Sequence, residues 1–166
     1  MDWGRRGGLF ADGTFFWWDL RPHPYHGTVE LRVADSQTRA QDAVAVTAVV
    51  QSLAAWLGAR FDAGEALPVH PAHWIAENSW RALRYGVRGD LVDLVSGKRE
   101  HARERISRML NELEPAASAL GCELELAVAR ALVAGNGADR QRYVAGRDGL
   151  EGLLAWLVAE TEARPG

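Results

Sequence analysis

Hydrophobic positions along this chain recur every second residue near the start and at three-and-four spacing beyond residue 38. From Phe15 to Asp35 the sequence reads FFWWDLRPHPYHGTVELRVAD. After Gly27, Thr28, Glu30 and Arg32 alternate with Val29, Leu31 and Val33, so a strand here puts a carboxylate and a guanidinium on one face and aliphatic groups on the other. The preceding segment groups Phe15, Trp17, Asp19 and Arg21 against Phe16, Trp18 and Leu20. Pro22 and Pro24 are expected to stop that strand, because proline supplies no ladder donor, and Gly27 to return the chain into the second. Paired as a hairpin with polar faces aligned, the strands bring Asp19, Arg21, Glu30 and Arg32 into one cluster.

Helical spacing follows. Thr38 and Gln41 have the separation of a capping box, and Val46, Val49, Val50, Leu53, Trp56 and Leu57 form the apolar stripe of a long helix ended by Gly64 and Pro68. Its polar residues Asp42 and Gln51 read as a solvated face. Pro71 opens a second helix that runs to Gly86, with Trp74, Ile75, Asn78 and Arg81 on one face and Glu77, Arg81 and Arg84 on its neighbour. Arg88 to Gly97 reads as a polar connector in which Leu91, Val92 and Leu94 make a brief strand. Helical spacing resumes from about Arg99, where Ile106, Met109, Leu110 and Leu113 make a buried stripe and His101 lies on the charged, exposed side. Pro115 and Gly121 are breaks. A further helix carries Leu124, Val128, Ala131 and Leu132 and ends at GNG, residues 135–137; Asp139 to Arg142 opens a short helix; Leu150, Leu153, Leu154, Leu157 and Val158 form the last amphipathic one. The expected class is α+β, an antiparallel strand pair followed by a mostly helical region. Residues 1–13, with four glycines and no periodicity, read as a flexible lead-in.

At 166 residues and 48% hydrophobic, the chain suits one domain with its own core. A net charge of −3 gives no basic footprint for nucleic acid, and no polybasic run suggests an anionic membrane surface. No apolar run approaches the roughly 18 residues needed to span a bilayer. One cysteine, Cys122, makes no internal disulfide and reads as a small buried hydrophobe; a soluble protein of a reducing cytoplasm is expected.

Taken as charges alone, the strand cluster reads as cross-strand ion pairs worth about 0.2–1 kcal/mol each. Phe15 and Trp17 on the same face make it a pocket wall instead. GNGAD lacks the Lys-Ser/Thr ending of a phosphate loop and the strand before it. Arg140 and Arg142 are two apart on a helix and point in different directions. His23-x-x-His26 and His70-x-x-His73 offer four imidazoles to a zinc ion, a non-enzymatic alternative in which no cysteine or carboxylate joins them at a familiar spacing.

Three stretches carry a resemblance. WWDLRPHPYHGTVELRVAD resembles the WWDxRPxPxxGTVExRxxD signature of the carboxylate–amine ligase family related to glutamate–cysteine ligases; AENSWRALRYG, from Ala76, resembles AENxWRAxRYG; and GNGADRQR, from Gly135, resembles GxGAxRQR. The resemblance implies that residues 14–166 are the C-terminal portion of a catalytic domain with a glutamine-synthetase-like fold. It further implies ATP and magnesium as cofactors, with glutamate phosphorylated to an acyl phosphate that an amine such as that of cysteine attacks. Glu30 is then the magnesium ligand, Arg32 and Arg21 the catalytic cations for phosphate and carboxylate, and Asp19 the group that orients an arginine. Asn78, Arg81, Arg84, Arg140 and Arg142 enter as substrate-binding residues, while Asp35 reads as a helix cap. Tyr25-His26 departs from a basic residue followed by Phe. Trp17 and Trp18, on opposite faces, require cover on both sides, so a homo-oligomer or a missing N-terminal half is expected, with the isolated chain inactive or nearly so. The other non-enzymatic alternative is a pseudo-ligase interaction or regulatory module.

Overall fold

The structure is a computed structural model and describes residues 4, 6–9, 19–23 and 25–163. Phe15 to Trp18, Pro24 and most of the lead-in lie outside the described residues. The chain divides into two units, one through Ser36 and one from Gln37.

In the first unit, β1 (Leu20–His23) pairs antiparallel with β2 (Thr28–Leu31), with Arg21 opposite Glu30 and Pro22 opposite Val29. Pro22 does not stop the strand as expected; it lies inside it. The Arg32 N–H donates to the Asp19 carbonyl at 2.8 Å. Because bonded and non-bonded pairs alternate in an antiparallel ladder, Pro22 falls at a position that needs no donor. Gly27, at φ +60°, closes the turn, and the His23 and His26 rings stack at 4.4 Å.

The second unit is helical around one small hairpin. It contains α1 (Ala40–Asp62), α2 (Ala72–Tyr85), β3 (Asp90–Val92), β4 (Arg99–His101), α3 (Ala102–Glu112), α4 (Glu114–Leu120), α5 (Glu123–Ala134) and α6 (Gly137–Glu162). The class is α+β. Two expectations fail at the hairpin. Arg99 begins a strand rather than a helix, pairing Val92 with Arg99 and Asp90 with His101. His101 is half-buried, not exposed, and its Nδ1 accepts the Arg103 N–H as the N-cap of α3. The expected capping box at Thr38 is also absent, since Arg39 is the N-cap of α1 without a side-chain bond. The Thr38 hydroxyl accepts instead from the Gln141 amide at 3.2 Å.

Leu110, Ala117, Leu126 and Ala129 from α3, α4 and α5 bury against Ala45 of α1, with Val49, Ile106, Met109 and Cys122 packed around them. The buried face of α1 is Asp42, Ala45, Ala48 and Ser52. At 3.6 residues per turn that face lies about a quarter turn from the larger Val46–Leu57 stripe. Small side chains let helices approach closely, whereas the bulky stripe stays only partly covered. α1 is also long and apolar enough to cross a bilayer, with a mean hydropathy of 1.4 over 18 residues, which corrects the expectation that no such run exists. Between α4 and α5, Gly121 adopts the left-handed conformation (φ +68°, ψ +33°), and the Cys122 N–H closes back on the Ala117 carbonyl. α6 is two helical segments joined at Gly149 (φ +70°, ψ −170°), in agreement with the two helices expected there.

Candidate functional site

Register and alternation place three of the four strand charges together. Arg21 and Glu30 are cross-strand partners, and Arg32 lies two residues beyond Glu30 on the same face. Both carboxylate oxygens of Glu30 are engaged. Oε2 pairs with the Arg21 guanidinium, and Oε1 accepts from Arg32 Nη1 at 2.8 Å. The Arg21 side chain is 16% exposed, against 40% for Glu30 and 31% for Arg32. One carboxylate thus spaces two guanidiniums, and the set carries a net positive charge. Asp19 is exposed and meets Arg32 through its main-chain carbonyl.

Within the second unit, α2 is fastened to the hairpin by Asn78. Its side-chain amide donates to the Val92 carbonyl at 2.8 Å and its Oδ1 accepts the Val92 N–H at 2.9 Å, so the amide completes the free edge of β3. Beside this clamp is a cleft of 620 Å³, with His73, Trp74 and Glu77 on one wall and Val92 to Gly97 on the other. The cleft turn is fixed by Asp93, whose Oδ1 accepts from both the hydroxyl and the N–H of Ser96 at 2.7 Å. These bonds hold the Asp93 carboxyl below its ordinary range. Arg81 bonds Glu77 one turn back at 3.2 Å, and the Arg84 guanidinium lies 5.7 Å from the Tyr85 ring. Asn78 and the two arginines are therefore directed to different partners.

Arg140 and Arg142 diverge, as their spacing requires. Arg140 turns inward to the Asp42 carboxylate and the Gly135 carbonyl, and Arg142 bonds Asp139 at 2.8 Å. Asp42 corrects the sequence reading: it is 5% exposed, not part of a solvated face. Asp139 and Arg88, read in the sequence only as the start of a helix and of a connector, were not site candidates. Asp139 Oδ1 accepts from Arg88 as well as Arg142, each at 2.8 Å. The hydrogen bond from Arg142, then that from the Asn136 N–H and the nearby charge of Arg88, hold the Asp139 carboxyl low. A lone acid among the alanines and valines that open α1 was the available signal for Asp42; for Asp139 it was the three-residue spacing to Asn136 before it and to Arg142 after it, while nothing local marked Arg88.

The profile of the glutamate–cysteine ligase family 2 matches residues 3–159. The chain belongs to that family. Similar proteins include one of Gloeobacter violaceus named "Putative glutamate--cysteine ligase 2", 38% identical over 148 residues that cover 89% of this chain and 39% of the relative. A Rubrobacter xylanophilus relative whose name differs only in its final number is 39% identical over 158 residues, covering 94% of this chain and 42% of its own length. The chain thus spans about two fifths of the glutamate–cysteine ligase family 2 relatives it matches. The strand cluster, the α2 segment and the α5–α6 turn all lie inside the family match.

Proposed function

We propose that this chain supplies the anion-facing part of an ATP-dependent carboxylate–amine ligase of the glutamate–cysteine ligase type. The observation that carries the reading is the Arg21–Glu30–Arg32 set, in which two planar donor forks are held apart by one acid. Joining a carboxylate to an amine requires the carboxylate to take the terminal phosphoryl group of ATP, giving ADP and an acyl phosphate. The amine nitrogen then attacks the acyl carbon, the C–O bond to phosphate breaks, and the nitrogen loses a proton. Every reactant and product except the amine is anionic, so positioned guanidiniums neutralise charge at both steps. Arg32 and Arg21 take the phosphoryl and carboxylate oxygens, and Glu30 fixes their separation.

Magnesium does not fit this set by itself. Both oxygens of Glu30 already face guanidiniums, and among the described residues no three His, Cys, Asp or Glu side chains are grouped to hold an ion. We further propose that the rest of the ligase is supplied by the portion of the relatives that this chain does not match. Trp74, Trp80 and Leu83 of α2 are 48%, 52% and 87% exposed, apolar area that this portion would bury.

The test is ADP release from ATP with glutamate, cysteine and magnesium. It compares the chain alone with the chain co-expressed with the unmatched portion of the Rubrobacter xylanophilus relative. We expect turnover only in the second case, reduced about 100-fold or more by Arg32→Ala and by Glu30→Ala. Turnover by the chain alone that neither substitution lowers would overturn the reading.

A further inference from the structure

Four guanidiniums, from α3, α6 and the 3-10 turn Gly86–Arg88 that follows α2, bond to atoms of one six-residue stretch, 134–139. Arg103 of α3 reaches the Ala134 carbonyl at 3.2 Å and Arg140 of α6 the Gly135 carbonyl at 3.4 Å, while Arg88 and Arg142 share the Asp139 carboxylate. The first turn of α6 is already closed by its own capping box, in which Asn136 Oδ1 accepts the Asp139 N–H and the Asp139 carboxylate accepts the Asn136 N–H. Any binding capacity at this turn therefore belongs to the side chains. Two acids, Asp139 and Asp42, pair directly with three of the four cations, and the Glu160 carboxylate, bound to Arg39, also acts on Arg140, so the neighbourhood holds five guanidiniums and three carboxylates. In addition, Nε of Arg103 and Nε of Arg140 are shielded from solvent with no acceptor among the described residues. A buried N–H donor without a partner calls for a water molecule or an ion, and here the surrounding charge selects an anion. The Arg88 and Arg142 side chains are 65% and 66% exposed, so their remaining donors are open to a ligand.

We propose that the α5–α6 turn binds a phosphoryl group or an equivalent tetrahedral oxyanion, with Arg88 and Arg142 as outer contacts and Arg103 and Arg140 as inner ones. The source of that phosphoryl group rests on the ligase reading; the binding itself does not. Three sources share the chemistry: free phosphate, a nucleotide polyphosphate and the acyl phosphate. The experiment is calorimetric titration of the whole chain with inorganic phosphate and, separately, with ADP, on the parent and on R88Q, R142Q and R147Q. Arg88 and Arg142 are exposed, so their loss leaves the fold intact. Arg147, which bonds its neighbour Asp148, controls for general surface charge.

Saturable phosphate binding that weakens with salt is expected, reduced about 10-fold or more by R88Q and by R142Q and unchanged by R147Q. ADP binding more tightly than phosphate with the same variant dependence assigns a nucleotide source; equal affinities assign the free or acyl-linked group. No saturation by about 10 mM phosphate, or equal losses in all three variants, overturns the site. If binding is lost in R88Q and R142Q while ADP release never appears even with the co-expressed unmatched portion, the ligase reading has failed and this site stands.

Discussion

Replacing Asp42 with alanine tests the link between the ends of the second unit. Asp42 is 5% exposed and its carboxylate meets Arg140, whose side chain retains 24% of its surface. Removing one partner of a buried pair costs about 3–5 kcal/mol, because the other charge stays in the interior unpaired. Water reaches part of the Arg140 guanidinium and the Gly135 carbonyl still accepts from it, so the expected loss is nearer 2–3 kcal/mol. With a urea slope of about 1–3 kcal/mol per molar, the unfolding midpoint should fall by roughly 1 M at unchanged slope. Arg140→Ala should cost at least as much, since it strands the more deeply buried carboxylate. The double substitution D42L/R140L should recover most of the loss. Gln51→Ala, on the exposed side of α1, should stay within about 0.5 kcal/mol of the parent. The reasoning is refuted if Asp42→Ala behaves like Gln51→Ala, or if alanine at 42 and at 140 together cost the sum of the two single losses.

Asn78→Ala removes both bonds that join α2 to β3 and leaves the Val92 N–H and carbonyl unmatched, a loss of about 1–3 kcal/mol. Hydrogen exchange at the Val92 amide should accelerate, and unchanged protection would sink the clamp. Asp139 is held below its ordinary range by the Arg142 hydrogen bond, then Asn136 and Arg88, so its stabilisation is fully present above the unfolded value of about 3.9 and disappears as pH falls through the depressed value. Urea midpoints measured from about pH 7 down to about pH 3 should therefore decline less steeply for Asp139→Asn than for the parent; identical slopes would exclude Asp139 from the acid transition. Gly149→Ala places a side chain at φ +70°, ψ −170°, where steric space is open but the backbone favours glycine, for a cost of about 1–3 kcal/mol. A lowered thermal midpoint checks it, and an unchanged one would mean that the joint in α6 straightens freely.

The strand pair was readable because period two and a glycine turn state a hairpin locally, and the register then follows. Pro22 was misjudged because the rule that proline ends strands ignores the positions of an antiparallel ladder that donate nothing. β4 was invisible for a different reason: Arg99, Glu100 and His101 are all polar, and only pairing with Asp90 to Val92 makes them a strand. The packing face of α1 was misplaced because alanine and serine score weakly as hydrophobic, although close helix contact favours them.

Long-range polar links escaped the sequence altogether. Arg39 to Glu160, Asp42 to Arg140 and Thr38 to Gln141 each join the start of α1 to α6 across about a hundred residues, and no local pattern encodes such a pair. They also change how the last motif is read. As a sequence, Arg140 and Arg142 are two candidates that point in different directions, with nothing to say which of them meets a ligand. In the helix, Gln141 turns to Thr38, Arg140 is anchored on a buried acid, and Arg142 remains outside beside Arg88. A large loss of stability together with binding is therefore expected at Arg140, whereas at Arg142 binding should fall with only the smaller stability loss that its exposed bond to Asp139 carries. That contrast separates the structural half of the motif from the half that meets an anion.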